Sequence, residues 1–220
     1  SGQELDAFDK YMHVDRPIDK AVREAMNDIQ QEGGGILFLV GSAGDGKSHM
    51  ISTLKKEYPD FVFKNDASES PWPTVDSIDA LKIFLADFKD ATLQTTTSKM
   101  LVAINMGKLS AFTDDAEVQA NFQEIVRCAK TLFDEENIRH EENERVRIVS
   151  FANHQIFELF PEQKDNKYPV DSLFIKKVLD KITNKAYDNE FRTAFNSSTP
   201  VGTDFEPSYV NYQLLSIPEI

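Results

Sequence analysis

Cysteine is nearly missing: Cys128 is the only one in 220 residues. A lone thiol closes no intrachain disulfide, so packing must hold the fold and nothing calls for an oxidising compartment. Long apolar runs are missing too. None approaches the roughly 20 residues of a membrane-spanning helix, and the N-terminus shows no apolar signal segment. Basic charge is scarce, with 24 Lys and Arg against 37 Asp and Glu, a net charge of −13. Such a surface repels phosphate backbones, which excludes non-specific wrapping of nucleic acid and leaves room only for a local basic patch. No internal repeat is visible. These absences together predict a soluble cytoplasmic protein.

What is present fits a packed domain. Hydrophobic residues make up 40% of the chain and 16 are Phe, too many for wholesale disorder. Pro17 opens a helix carrying Ile18, Val22, Ala25, Met26 and Ile29 at helical spacing, and Gly33-Gly34-Gly35 stops it. The run 36–40 is continuously apolar, as in a strand buried on both faces. A helix is predicted over 47–56, a short strand over 61–63, and a helix from Ser77 or Asp79 through Phe88. Strands at 100–104 and 146–151 bracket a helical segment, 116–133, with Val118, Phe122, Ile125, Val126 and Ala129 on one face. Another amphipathic helix carries Leu173, Phe174, Val178, Leu179 and Ile182, and a loop is expected from Asn196 onward. Alternating strands and helices predict a mostly parallel α/β sheet with helices on both faces. The expected division is a core with its N-terminal helix over 1–160 and a helical or irregular extension over 161–220. The ending Ile217-Pro218-Glu219-Ile220 has no polar cap and reads as a cut from a longer chain.

Chemistry concentrates in one motif. Gly41-Ser42-Ala43-Gly44-Asp45-Gly46-Lys47-Ser48 matches G-x-x-x-x-G-K-[ST] at every fixed position, between a predicted buried strand and a predicted helix. Its glycines let successive N–H groups turn inward on a phosphate. Lys47 supplies charge near the β- and γ-phosphates, and the Ser48 hydroxyl is placed to ligate Mg²⁺. The helix start adds its positive end. These features predict ATP with Mg²⁺ as cofactors and a P-loop NTPase fold, with Gly41 through His49 as the nucleotide-binding segment.

The catalytic complement is less regular. A hydrolytic enzyme of this type ends a later strand in Asp, yet the third strand here ends in Asn105. Asn105 hydrogen-bonds a metal-bound water without adding charge. Asp66 and Glu69, after the second strand, are the nearest carboxylates and are as compatible with a capped turn as with catalysis. Asn153, preferred over the neighbouring His154, follows the fourth strand, where such ATPases carry a γ-phosphate-sensing residue. No Asn-Lys-x-Asp signature occurs, because Tyr187 follows Asn184-Lys185-Ala186, and this favours adenine over guanine. The acidic stretch 134–144 reads as a solvated segment.

Three segments carry a resemblance. They are Tyr11 to Asp19, Gly41 to His49 and Asn65 to Ser70, joined by Ala103 to Leu109. Together they resemble the family of the DNA phosphorothioation-dependent restriction protein DptF. The resemblance implies an ATPase subunit of a bacterial complex that cuts DNA lacking phosphorothioate marks. Asn105 would then be the normal residue at its position. It also implies other complex subunits as partners and DNA reached indirectly through them; the lack of apolar runs predicts no membrane, and a homo-oligomer stays open. Turnover would be weak in the isolated chain and dependent on partners.

Two other functions share the loop. A small-molecule kinase needs an arginine-rich lid, whereas the region after the fourth strand offers Arg192 and scattered lysines. A nucleotide-gated interaction module that scarcely hydrolyses ATP is compatible with Asn105 in place of a carboxylate.

Overall fold

A computed structural model describes residues 7–65, 75–133, 144–159, 170–185, 189–197 and 207–216. The chain divides into two compact units. One spans residues 17–155. The other joins residues 5–16 to 156–220.

The first unit is built on a four-stranded sheet of β1 (Gly35–Val40), β2 (Val62–Lys64), β3 (Lys99–Ile104) and β4 (Val146–Ser150), in the order β2-β3-β1-β4. Every pairing is parallel. All six residues of β1 are buried, as its unbroken apolar run requires. Its side chains alternate between two cores. Ile36, Phe38 and Val40 face one, while Leu37 and Leu39 face the other.

Helices cover both faces. On one, α2 (Pro17–Gln31) buries the predicted stripe of Ile18, Val22, Ala25, Met26 and Ile29, beside Met50, Ile51 and Leu54 of α3 (Lys47–Glu57). Arg23 clamps the two helices through a two-pronged ion pair with Glu57, at 2.8 and 3.0 Å. On the other face lie α4 (Ser77–Phe84), α5 (Asp90–Leu93), α6 (Met106–Asp114), α7 (Ala116–Asn121) and α8 (Gln123–Lys130). The triple glycine before β1 answers a close approach: a Cβ on Gly34 would lie 2.3 Å from the Thr96 carbonyl oxygen.

Three differences from the sequence reading have local causes. The segment expected as one helix over 116–133 breaks at Phe122, whose φ of −133° and ψ of 43° leave the helical region. Phe122 is fully buried and tilted against Phe112, at 5.9 Å between ring centroids, so core packing overrides the helical period. The helix from Ser77 stops at Phe84 and passes into a 3₁₀ turn, Ala86–Phe88. Met106–Asp114 forms a helix that the apolar spacing had not signalled, because its hydrophobic stripe is short and Gly107 lowers its propensity.

The second unit contains α1 (Ala7–Met12), the antiparallel pair β5 (Glu158–Leu159) and β6 (Val170–Asp171), α9 (Leu173–Thr183), α10 (Glu190–Ser197) and α11 (Pro207–Leu215). Tyr11 on α1 donates its hydroxyl to the Lys181 carbonyl at 2.5 Å, and the Lys181 ammonium donates back to the Tyr11 carbonyl. Fully buried Asn189 joins two helices. Its amide donates to Ile182 and Asn184 carbonyls, while its Oδ1 accepts the N–H groups of Phe191 and Arg192. The loop expected beyond Asn196 contains α11, whose Tyr212 ring stacks 4.7 Å from Phe195. Among the described residues, no helix is long and apolar enough to cross a membrane.

Asp115 caps α7 through the N–H groups of Glu117 and Val118, at 3.0 Å each, and lies 3.5 Å from Lys82. The Val118 N–H bond is the largest influence and holds its carboxyl below the ordinary range; desolvation opposes it, and the Lys82 charge and the Glu117 N–H bond add smaller lowering effects. A lowered folded pKa stabilises the fold above the unfolded carboxylate value, and that contribution is lost as pH falls through the lowered value. Asp115→Asn will therefore flatten the acid limb of the stability–pH curve measured by urea unfolding, with least effect at the acid end.

Candidate functional site

The cleft at the carboxyl ends of β1 and β3 gathers most of the sequence-derived residues. It encloses about 510 Å³ and is lined by Ser42, Ala43, Gly44, Gly46, Lys47 and Ser48 on one side. The other side is Asn65, Ala103, Ile104 and Asn105. Parallel pairing brings the two walls together: Val40 lies opposite Ile104, and the Gly41 N–H donates to the Ile104 carbonyl at 3.1 Å.

The loop curls by left-handed glycines. Gly44 has φ of 90° and Gly46 has φ of 87°, values that a side chain at either position would strain. Asp45 accepts the Ser42 N–H at 2.5 Å and closes the turn from within. Lys47 bends back over the loop, its ammonium donating to the Gly41 and Ser42 carbonyls at 2.7 and 2.5 Å.

Some helix starts in this chain are capped by the side chain of the preceding residue and some are not. Side chains of Asp76, Asn105, Asp115 and Ser172 cap α4, α6, α7 and α9. Gly46, at the start of α3, has no side chain to do so. The amides of the first turn, with the Lys47 charge, thus form an electropositive end beside the cleft. This donor set fits a polyphosphate. A metal fits only as a companion of that anion. No group of three or more His, Cys, Asp or Glu among the described residues could hold one, and the Ser48 hydroxyl stands at the motif's expected ligand position.

Asn105 lines the cleft with a constrained side chain. Its Oδ1 accepts the Lys108 N–H at 2.7 Å, capping α6. The amide NH₂ remains as a donor and brings no negative charge. Asn65 lines the same wall from the end of β2, a residue the sequence reading passed over for the carboxylates beyond it. Its sequence signals are its place directly after a strand and at the head of the Asn65 to Ser70 segment. Asp66 and Glu69 lie outside the described residues. His49 sits exposed in the first turn of α3 and does not line the cleft. Asn153 lies elsewhere, with His154 in a depression beside β4, where the His154 ring meets the Ser150 carbonyl at 2.9 Å.

Comparison with protein-family models, curated proteins and solved structures finds no match for this chain.

Gly46→Ala forces a side chain into the left-handed region and will cost about 1–2 kcal/mol of folding stability. Urea denaturation measures this. An unchanged midpoint would mean the turn relaxes without its glycine.

Proposed function

We propose that the first unit is a P-loop NTPase domain that binds ATP with Mg²⁺ and acts as the ATPase subunit of a DNA restriction complex. One observation carries the nucleotide reading. A fully matched phosphate-loop motif, curled by left-handed glycines, joins a buried parallel strand to a helix whose N-terminus has no side-chain cap. In this reading the loop amides and Lys47 hold the phosphates, and Ser48 ligates Mg²⁺. Adenine is preferred because the guanine signature is absent. The restriction role rests on the sequence resemblance alone. DNA is then reached through partner subunits, since a charge of −13 opposes direct binding.

Catalysis is assigned to Asp66 or Glu69 as general base, with Lys47 and Asn105 contacting phosphate or its bound water; Asn153, in the separate depression beside β4, takes no part. A second reading, a nucleotide-gated module with little turnover, draws support from Asn105. Its Oδ1 is engaged in a helix cap, and the described cleft lining holds no carboxylate.

Lys47→Ala removes a charge-assisted contact worth about 1.5–3 kcal/mol, a roughly ten- to hundredfold loss of ATP affinity by titration calorimetry. Equal affinities in parent and variant would overturn the nucleotide assignment. The Asp66→Asn and Glu69→Gln variants separate the two readings. Loss of turnover with retained ATP affinity in either supports the hydrolase, and unchanged turnover in both removes the base from this segment.

A further inference from the structure

One peptide group of the phosphate loop is held between two opposite charges. The Lys47 ammonium donates to the Gly41 carbonyl at 2.7 Å, and the N–H of the same peptide, on Ser42, donates to the Asp45 carboxylate at 2.5 Å. The peptide is trans, so its carbonyl and its N–H point opposite ways. The two charges therefore stand on opposite sides of it, no more than about 7.5 Å apart. Lys47 is tied further by the Ser42 carbonyl at 2.5 Å, which also accepts the Asp45 N–H at 3.4 Å. Asp45 has a seat shaped for it. A Cβ at Gly41 would lie 2.6 Å from the Asp45 Oδ2 and 2.7 Å from the Phe151 ring, so a larger residue there would evict the carboxylate.

The charge balance of the site follows from this clamp. Between Gly41 and Ser48 the side chains carry one cation and one anion, Lys47 and Asp45, which cancel. Lys47 is the one charged residue of the described cleft lining, and Asn65 and Asn105 opposite are neutral. Further attraction for an anion comes from the loop amides and the start of α3, partial charges of short reach. A metal-free nucleoside triphosphate, with about four negative charges, meets Asp45 behind the loop as a like charge. The same triphosphate carrying a divalent cation has half that net charge and is repelled about half as much.

We propose, building on the nucleotide reading, that Asp45 is a specificity-determining residue: it offsets Lys47, so that the loop accepts a nucleoside triphosphate complexed with a divalent cation and discriminates against the metal-free polyanion. Selectivity here arises from a repulsive element built into the binding loop. The carboxylate has two separable roles. As an acceptor it braces the Ser42 N–H, and as a charge it sets the preference. Asp45→Asn keeps an acceptor oxygen and drops the charge, so it divides one role from the other.

Titration calorimetry on the full chain tests this with ATP, once in excess EDTA and once in excess Mg²⁺. Asp45→Asn will bind metal-free ATP about tenfold more tightly than the parent does, and the Mg²⁺ complex about threefold more tightly, since halving the charge halves the logarithm of the effect. The gain for metal-free ATP will shrink as salt rises from about 0.05 to 0.5 M, as an electrostatic origin requires. Urea midpoints report whether the variant keeps its fold. Asp45→Ser, a second neutral substitution, will show the same ordering should the first disturb the loop. Equal gains with and without Mg²⁺ would overturn the proposal. So would unchanged or weaker binding of metal-free ATP in both variants while the parent binds Mg²⁺–ATP, which would leave Asp45 a brace and the nucleotide reading intact. A parent that binds ATP in neither buffer would overturn both.

Discussion

The N–H of Gly41, bonded to the carbonyl of Ile104 at 3.1 Å, is the last rung of the β1–β3 ladder and the point from which the cleft is built. Below it, six paired residues hold the two strands in parallel register inside two apolar cores. Above it, one chain must turn into a loop and the other into a helix. The loop curls because Gly44 and Gly46 take left-handed conformations, and the helix starts because Asn105 caps α6. A slip of one residue in this register would exchange the two core faces of β1, which burial forbids. The cleft geometry is thus a consequence of core packing.

Within the cleft the charges are arranged before any ligand arrives. Lys47 is held over the loop by two carbonyls, and Asp45 is turned to the Ser42 N–H. Groups fixed in this way lose little conformational freedom on binding, so more of their interaction energy appears as affinity. The opposite wall is different in kind. Asn65 and Asn105 are neutral amides, so it adds hydrogen bonds without adding charge. Any carboxylate needed for hydrolysis must come from outside the described lining.

Legibility in the sequence followed the number of independent local signals. The 36–40 run and the loop motif each spoke for themselves, and β1, α3 and the cleft's loop wall lie where those signals put them. The α2 stripe was equally readable, since all five spaced apolar residues are buried. Where one signal opposed another, the reading failed. Phe122 sits at helical spacing yet leaves the helical region to reach the core. The polar composition after Asn196 hid α11, which packs by Tyr212 against Phe195 and leaves Val210, Leu214 and Leu215 exposed. Asn105 was legible as a position but not as a helix cap, because capping depends on where its Oδ1 points.

The two edges of the sheet are protected unequally, and this asymmetry shapes how the unit can meet other proteins. β2 is three residues long, too short to offer a continuous row of peptide groups, although Val62 is exposed on it. β4 is five residues long, but its outward row is covered: Val146 and Ser150 keep 1% and 3% exposure, His154 takes the Ser150 carbonyl, and acidic α2 residues stand along the side. Carboxylates repel like-charged edges and so discourage indiscriminate pairing among copies of this chain. The −13 net charge of the chain extends the distance over which that repulsion is felt at low salt.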